Sequence, residues 1–167
     1  SLQFTAQDLE NGNTAKGLIG SFCDGAGKWQ LIVRSDQSIE VMSLIRAPGG
    51  FLTSLNEVVP AAGDDRLVNF VNSASEPDQQ TFLRIVNRES TAGTVTISAI
   101  DDSGNAGASD ITLTLAANDS QQMTSQDMEA GNTSKGLTGA FGDGEGNWRL
   151  TITSTLDLDV MSLIRLP

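Results

Sequence analysis

Any chemistry in this chain has to be done by carboxylates, hydroxyls and amides. The sequence holds 21 Asp and Glu residues but no His and no Tyr, and its one Cys is Cys23. That excludes imidazole acid/base catalysis, Cys/His dyads, His metal sites and a disulfide within the chain. The candidate chemistry left is oxygen ligation of a hard cation such as calcium, which takes roughly six to eight oxygens. Its carboxylates would come from two Gly-rich acidic turns, Asp24-Gly25-Ala26-Gly27 and Asp143-Gly144-Glu145-Gly146, and from Asp101-Asp102 ahead of Ser103-Gly104-Asn105. The spacing is sparse. No D-x-D-x-D-G ladder with a distal Glu follows, and Ala26 stands where the second turn has Glu145. Hairpin turns, with Gly supplying positive φ and Asp bonding its own backbone, account for the same residues. The expectation is therefore a chain without a cofactor, with calcium at Asp24, Asp101, Asp102, Asp143 and Glu145 as the alternative.

Other features weigh the same way. Trp29 and Trp148 follow the two acidic turns and open strands. Each is either an exposed platform for a sugar ring or a buried strand residue, and with so few aromatics on any one face burial is favoured. The GNT-x-KGL blocks at 12–18 and 131–137 fail as phosphate loops, because the Lys precedes Gly and no helix follows. Cys23 is replaced by Gly142 in the matching turn and has no His to activate it, so it reads as a structural thiol. Asp8 and Glu10 form a pair that could in principle do acid/base work, but a capped helical turn explains them more simply.

The elements that must position these residues are organised by an internal repeat. Residues 4–46 align without gaps on 123–165 at a constant offset of 119, with about 24 of 43 positions identical. Between the copies lie a tail, a Pro/Ala/Gly/Asp linker at 61–65 and a distinct segment that begins at Arg66. The chain thus holds two copies of a rear half and one front half. Residues 66–167 are predicted to be a complete unit of about seven strands. Residues 1–60 are predicted to be an incomplete rear half of about four.

Alternating, β-branched runs predict strands at Leu67–Val71, Thr81–Asn87, Thr94–Ile100 and Ile111–Ala116, with Val95, Ile97 and Ala99, and Ile111, Leu113 and Leu115, pointing inward. The repeated half adds WQLIVRS and EVMSLIR in one copy, WRLTITS and DVMSLIR in the other. Helix is confined to one turn per copy, capped by Thr5 or Thr124 with Asp8 or Asp127 at the third position, and stopped by Gly12 or Gly131. This pattern predicts an all-β, antiparallel, Ig-like sandwich. A lone rear half leaves an apolar sheet face that something must cover. A net charge of −11 argues against nucleic acid and anionic membranes as partners, and no apolar run approaches the length of a membrane span.

The combination D-L-E-x-G-N-x-x-K-G-L, G-D-G-x-G-x-W and a strand ending VMSLIR, with LRIVNRESTAGTVTISAIDDSG in the middle, resembles an uncharacterised repeat module of secreted and surface proteins of Gram-negative bacteria. The resemblance implies an extracellular or cell-surface β-sandwich without catalytic residues. The function expected is a non-catalytic spacer, stalk or self-assembling filament element, whose partner is itself, joined by sheet complementation. The alternative is a carbohydrate-binding accessory module of a secreted hydrolase, with Trp29 and Trp148 on polysaccharide and calcium in support.

Overall fold

The computed structural model describes residues 3–23, 31, 33–37, 43–46, 52–55, 65–76 and 78–165. The chain divides into two units, Ser1–Asn56 and Glu57–Pro167. Asp24 and Trp29 lie outside the described residues, as does most of the 61–65 linker.

In the first unit, helix α1 (Ala6–Asn11) is set by a capping box. Thr5 Oγ1 accepts from Asp8 N at 3.1 Å, while the Asp8 carboxylate accepts from Thr5 N at 2.8 Å. Gly12 ends it at φ 76°. A 3₁₀ turn, Thr14–Lys16, follows, capped by the Asn13 side chain and closed by Gly17 in the left-handed conformation. Strands β1 (Ser43–Arg46) and β2 (Leu52–Leu55) pair antiparallel, Ser43 opposite Leu55 and Arg46 opposite Leu52. Of the run WQLIVRS, expected to be a strand, Leu31 and residues 33–35 are described, and these lie outside any strand. Its repeat-mate in the second unit is paired on both edges. Among the described residues of the first unit no strand pairs with Leu31 or residues 33–35, so the same pattern is not held extended there by neighbours that take its N–H and C=O groups.

The second unit is an all-β sandwich of seven strands: β3 (Arg66–Val71), β4 (Gln80–Asn87), β5 (Gly93–Asp101), β6 (Ile111–Leu115), β7 (Ser120–Thr124), β8 (Trp148–Ser154) and β9 (Leu158–Arg165). One antiparallel sheet runs β3-β8-β5-β6 and the other β7-β4-β9. A short helix α2 (Ser125–Ala130) sits between β7 and β8, with Thr124 as its cap. Six of these strands begin and end within a residue or two of the sequence pattern, while β7 has no counterpart in it. The inward sets are Leu83 and Ile85 on β4, Val95, Ile97 and Ala99 on β5, Ile111, Leu113 and Leu115 on β6, and Leu150 and Ile152 on β8. They close one core, to which Met123, Met128, Leu137, Phe141 and Trp148 are added from the rear half. Among the described residues no helix is long and apolar enough to cross a membrane.

Candidate functional site

Of the carboxylates expected to ligate calcium, the structure brings Asp101, Asp102 and Glu145 together where the β5–β6 loop meets the turn before β8. Asp101 Oδ1 accepts from Asn105 N at 2.8 Å, and its Oδ2 accepts from Glu145 N at 3.2 Å. Asp102 Oδ2 accepts from Asn147 N at 2.8 Å and Nδ2 at 3.1 Å, and Glu145 Oε2 accepts from Ser103 Oγ at 3.0 Å. Gly146, at φ 78°, leaves the space that Asp102 fills, since a Cβ there would stand 2.5 Å from Asp102 Oδ2. Burial alone would raise the Asp101 carboxyl, but the bonds from Asn105 and Glu145 hold it below the ordinary carboxylate range. Asp143 stands exposed outside these bonds. Among the described residues no group of three or more Asp, Glu or Cys side chains is arranged to hold a metal ion. The cluster's chemistry is a lock between two loops, with its oxygens turned onto N–H and O–H donors.

Trp148 corrects the platform alternative at its position. It is 2% exposed, its ring centroid lies 5.5 Å from that of Phe141, and its Nε1 donates to Glu129 Oε1 at 2.8 Å. Ala74 N donates to the same oxygen at 3.0 Å. The buried Glu129 therefore ties β8 and α2 to the loop after β3, and an indole in this setting has no face for a sugar.

The GNT-x-KGL block also has an assigned task. In the second copy, the Asp127 carboxylate accepts from Thr124 N, Thr124 Oγ1, Asn132 Nδ2 and Lys135 Nζ. In the first copy, Asp8 accepts from Thr5 N, Thr5 Oγ1, Asn13 Nδ2 and Lys16 Nζ, the last two each at 2.6 Å. Burial raises the Asp127 carboxyl, yet Lys135, Thr124 and Asn132 hold it down to about 2. Lys16, with Thr5 and Asn13, holds Asp8 well below the usual carboxylate range. A Thr-x-x-Asp box with Asn and Lys five and eight residues after the Asp is present in both copies. That spacing is the signal that identifies this latch.

Beyond the latch, the two copies share their backbone bonds. Phe22 N donates to Leu9 O at 3.0 Å as Phe141 N does to Met128 O at 2.9 Å, and Cys23 N donates to Glu10 O as Gly142 N does to Glu129 O, both at 3.0 Å. Their burial differs. Leu150 is 2% exposed and its repeat-mate Leu31 is 49% exposed; Ile152 is 0% exposed and its repeat-mate Val33 is 56% exposed. Phe141 and Phe22 stand at 2% and 51%. Met123, fully buried under β4, corresponds to the exposed Phe4. The candidate functional site is this set of apolar residues of the first copy, Phe4, Phe22, Leu31 and Val33, open to solvent where their repeat-mates are buried.

No family model and no curated protein matches the chain. Among solved structures it is similar to one described as "Anabaena sensory rhodopsin transducer", at 13% identity and a TM-score of 0.45, over 59% of this chain and 85% of that one.

Proposed function

We propose that this chain is a non-catalytic structural repeat of an exported bacterial protein, a spacer, stalk or self-assembling element whose units are joined by apolar sheet complementation. The observation that carries the reading is the contrast between repeat-mates: Leu31 and Val33 stand open where Leu150 and Ile152 are sealed. Large apolar side chains exposed together on an otherwise polar, strongly acidic chain mark an interaction surface or an aggregation liability. The backbone bonds that Phe22 and Cys23 share with Phe141 and Gly142 argue for the former. The buried Trp148 offers no exposed indole face for a sugar, and the carboxylate oxygens of Asp101 both accept bonds from the loops they join.

Sedimentation of the full chain over a range of concentrations tests this. The parent should self-associate, and Leu31→Asp with Val33→Asp should abolish association while the melt of the Glu57–Pro167 unit stays unchanged. A parent that is monomeric throughout, with the same sedimentation as the doubly substituted chain, would refute the reading.

A further inference from the structure

The second unit shows what covers a rear half. Its front half, Arg66–Asp119, supplies β3 and β5 on either side of β8, β4 beside β9, and the 106–112 stretch against the loop after the 3₁₀ turn. Val68 and Ala99 flank Leu150, and Arg66 and Ile97 flank Ile152. Thr112 and Thr138 exchange backbone bonds at 2.8 and 2.9 Å, and Ala108 N donates to Phe141 O at 2.7 Å. Each residue left open in the first copy is thus matched to a covering residue seen in the second.

Counting excludes one source of that cover. Residues 1–167 hold one front half and two rear halves, so front-to-rear pairing among copies of these residues leaves as many rear halves open as there are copies. A front half donated to one rear half is withdrawn from another. Donation between copies, the head-to-tail scheme, relocates the open face without closing it.

Resting on the structural-repeat reading, we infer that the open face of the first copy is the docking site for a front-type segment of the Arg66–Asp119 kind, placed relative to the first copy as Arg66–Asp119 is placed relative to the second. The repeat supports that placement. Ser1-Leu2-Gln3-Phe4-Thr5 aligns with Ser120-Gln121-Gln122-Met123-Thr124, which is β7, the strand that continues from the front half and pairs with β4. In the present structure residues 3–5 are not in a strand, as expected for a β7-type segment whose β4-type neighbour is missing. Strand structure in the first copy is confined, among the described residues, to Ser43–Arg46 and the strand β2 that pairs with it. The repeat-mates of Ser43–Arg46 take Leu83–Gln80 of β4 instead, so β2 keeps that stretch extended until a β4-type strand is present.

Cys23 is the built-in reporter. It is exposed and free, at φ 59° where Gly142 has φ 72°, and a Cβ on Gly142 would lie 3.5 Å from the Ala108 side chain of the front half. Docking therefore places a front-half residue against the thiol. The test fuses an added copy of Arg66–Asp119 ahead of Ser1 in the full chain, repeating the natural Asp119–Ser120 junction. The fusion should gain a second cooperative unfolding transition, and Cys23 should be labelled by a thiol reagent at least about tenfold more slowly than in the parent. Leu83→Asp with Ile85→Asp in the added copy alone should restore the parent's rate. Should the fusion be insoluble, the Arg66–Asp119 segment co-expressed as a separate chain is the same probe. Parental labelling with either probe, in a chain whose Glu57–Pro167 unit still melts normally, overturns the inference. If the parent nonetheless associates through Leu31 and Val33, the structural-repeat reading survives and only the occupant is wrong.

Discussion

Leu31 and Leu150 are the same residue at the same place in the repeat, and truncating each to Ala gives a direct measure of what the front half does. Leu150 is sealed between Val68 and Ala99 in the middle of β8. Removing three carbons from such a site loses their transfer energy and leaves a cavity, about 2–5 kcal/mol in all. In a unit of roughly 100 residues, 1 kcal/mol corresponds to about 4–8 °C, so Leu150→Ala should lower the melting temperature of the Glu57–Pro167 unit by roughly 8–40 °C. Leu31 is half exposed and its strand is not formed. Its truncation should change stability by less than about 1 kcal/mol. Differential scanning calorimetry of the full chain, with amide exchange to assign the transition, makes the comparison. Comparable losses at the two positions would refute the reasoning, because they would place Leu31 in a core as tightly covered as that of Leu150.

Two further outcomes follow from the same pairing of copies. Gly139 and Gly20 both hold positive φ, 96° and 92°, but a Cβ on Gly139 would stand 2.0 Å from Asp110 O whereas Gly20 has nothing within 4 Å. Both Ala substitutions carry the strain of a side chain at positive φ, about 1–2 kcal/mol, but Gly139→Ala adds the clash with Asp110 O and should cost clearly more in chemical denaturation than Gly20→Ala; equal effects would mean the first copy is already covered. The Asp127 latch predicts acid sensitivity. A carboxyl held down to about 2 in the fold contributes stability that is fully present above its unfolded value near 3.9 and is lost as pH falls through about 2. Discounted for its partial solvent access, the contribution is about 1–2 kcal/mol, and Asp127→Asn should remove that part of the stability-versus-pH slope. The raised Asp159 carboxyl works in the opposite sense, favouring the fold as it protonates. An unchanged acid slope in the Asp127 variant would show that the latch contributes nothing.

Sequence alternation identified the sandwich because the inward positions of β4, β5 and β6 are single side chains facing one core, and period two is all that such a strand needs. Thr5 and Thr124, with Asp three residues on, identified both capped turns for an equally local reason. WQLIVRS reads as a strand because it shares with WRLTITS the alternating Trp, Leu and β-branched positions 29, 31 and 33, while strand formation at Leu31 and residues 33–35 depends on paired neighbours that the described residues of the first copy do not supply. Glu129 likewise carries no local sign of its partners, since Ala74 lies 55 residues away and the Trp148 indole 19. The Lys of GNT-x-KGL was set aside as a failed phosphate loop. Its actual partner, Asp127, sits in a motif that had been read separately as a helix cap.

With one front half and two rear halves in reach, the choice of the second copy has physical causes. Asp119, the last residue of the front half, runs directly into Ser120, the first residue of β7, so front and rear join there with no loop to close. Pairing with the first copy would have to close the 47–65 stretch instead, an entropic cost that grows only slowly with length but is absent at the Asp119–Ser120 junction. The side chains discriminate further. Arg66 lies 3.8 Å from Asp157, and Arg88 lies 3.7 Å from Asp157 and 3.4 Å from Asp159. The first copy has Ser38 and Glu40 at those positions, one carboxylate where the second has two. Leu156 fills the space left by Gly93, whose Cβ would come within 2.7 Å of it, and the first copy has the polar Gln37 there. Each difference is small, and partly exposed ion pairs contribute little individually. All of them favour the same partner, so the resident front half is matched in charge and shape to the second copy, and a segment made for the first would carry less positive charge where Arg66 and Arg88 stand.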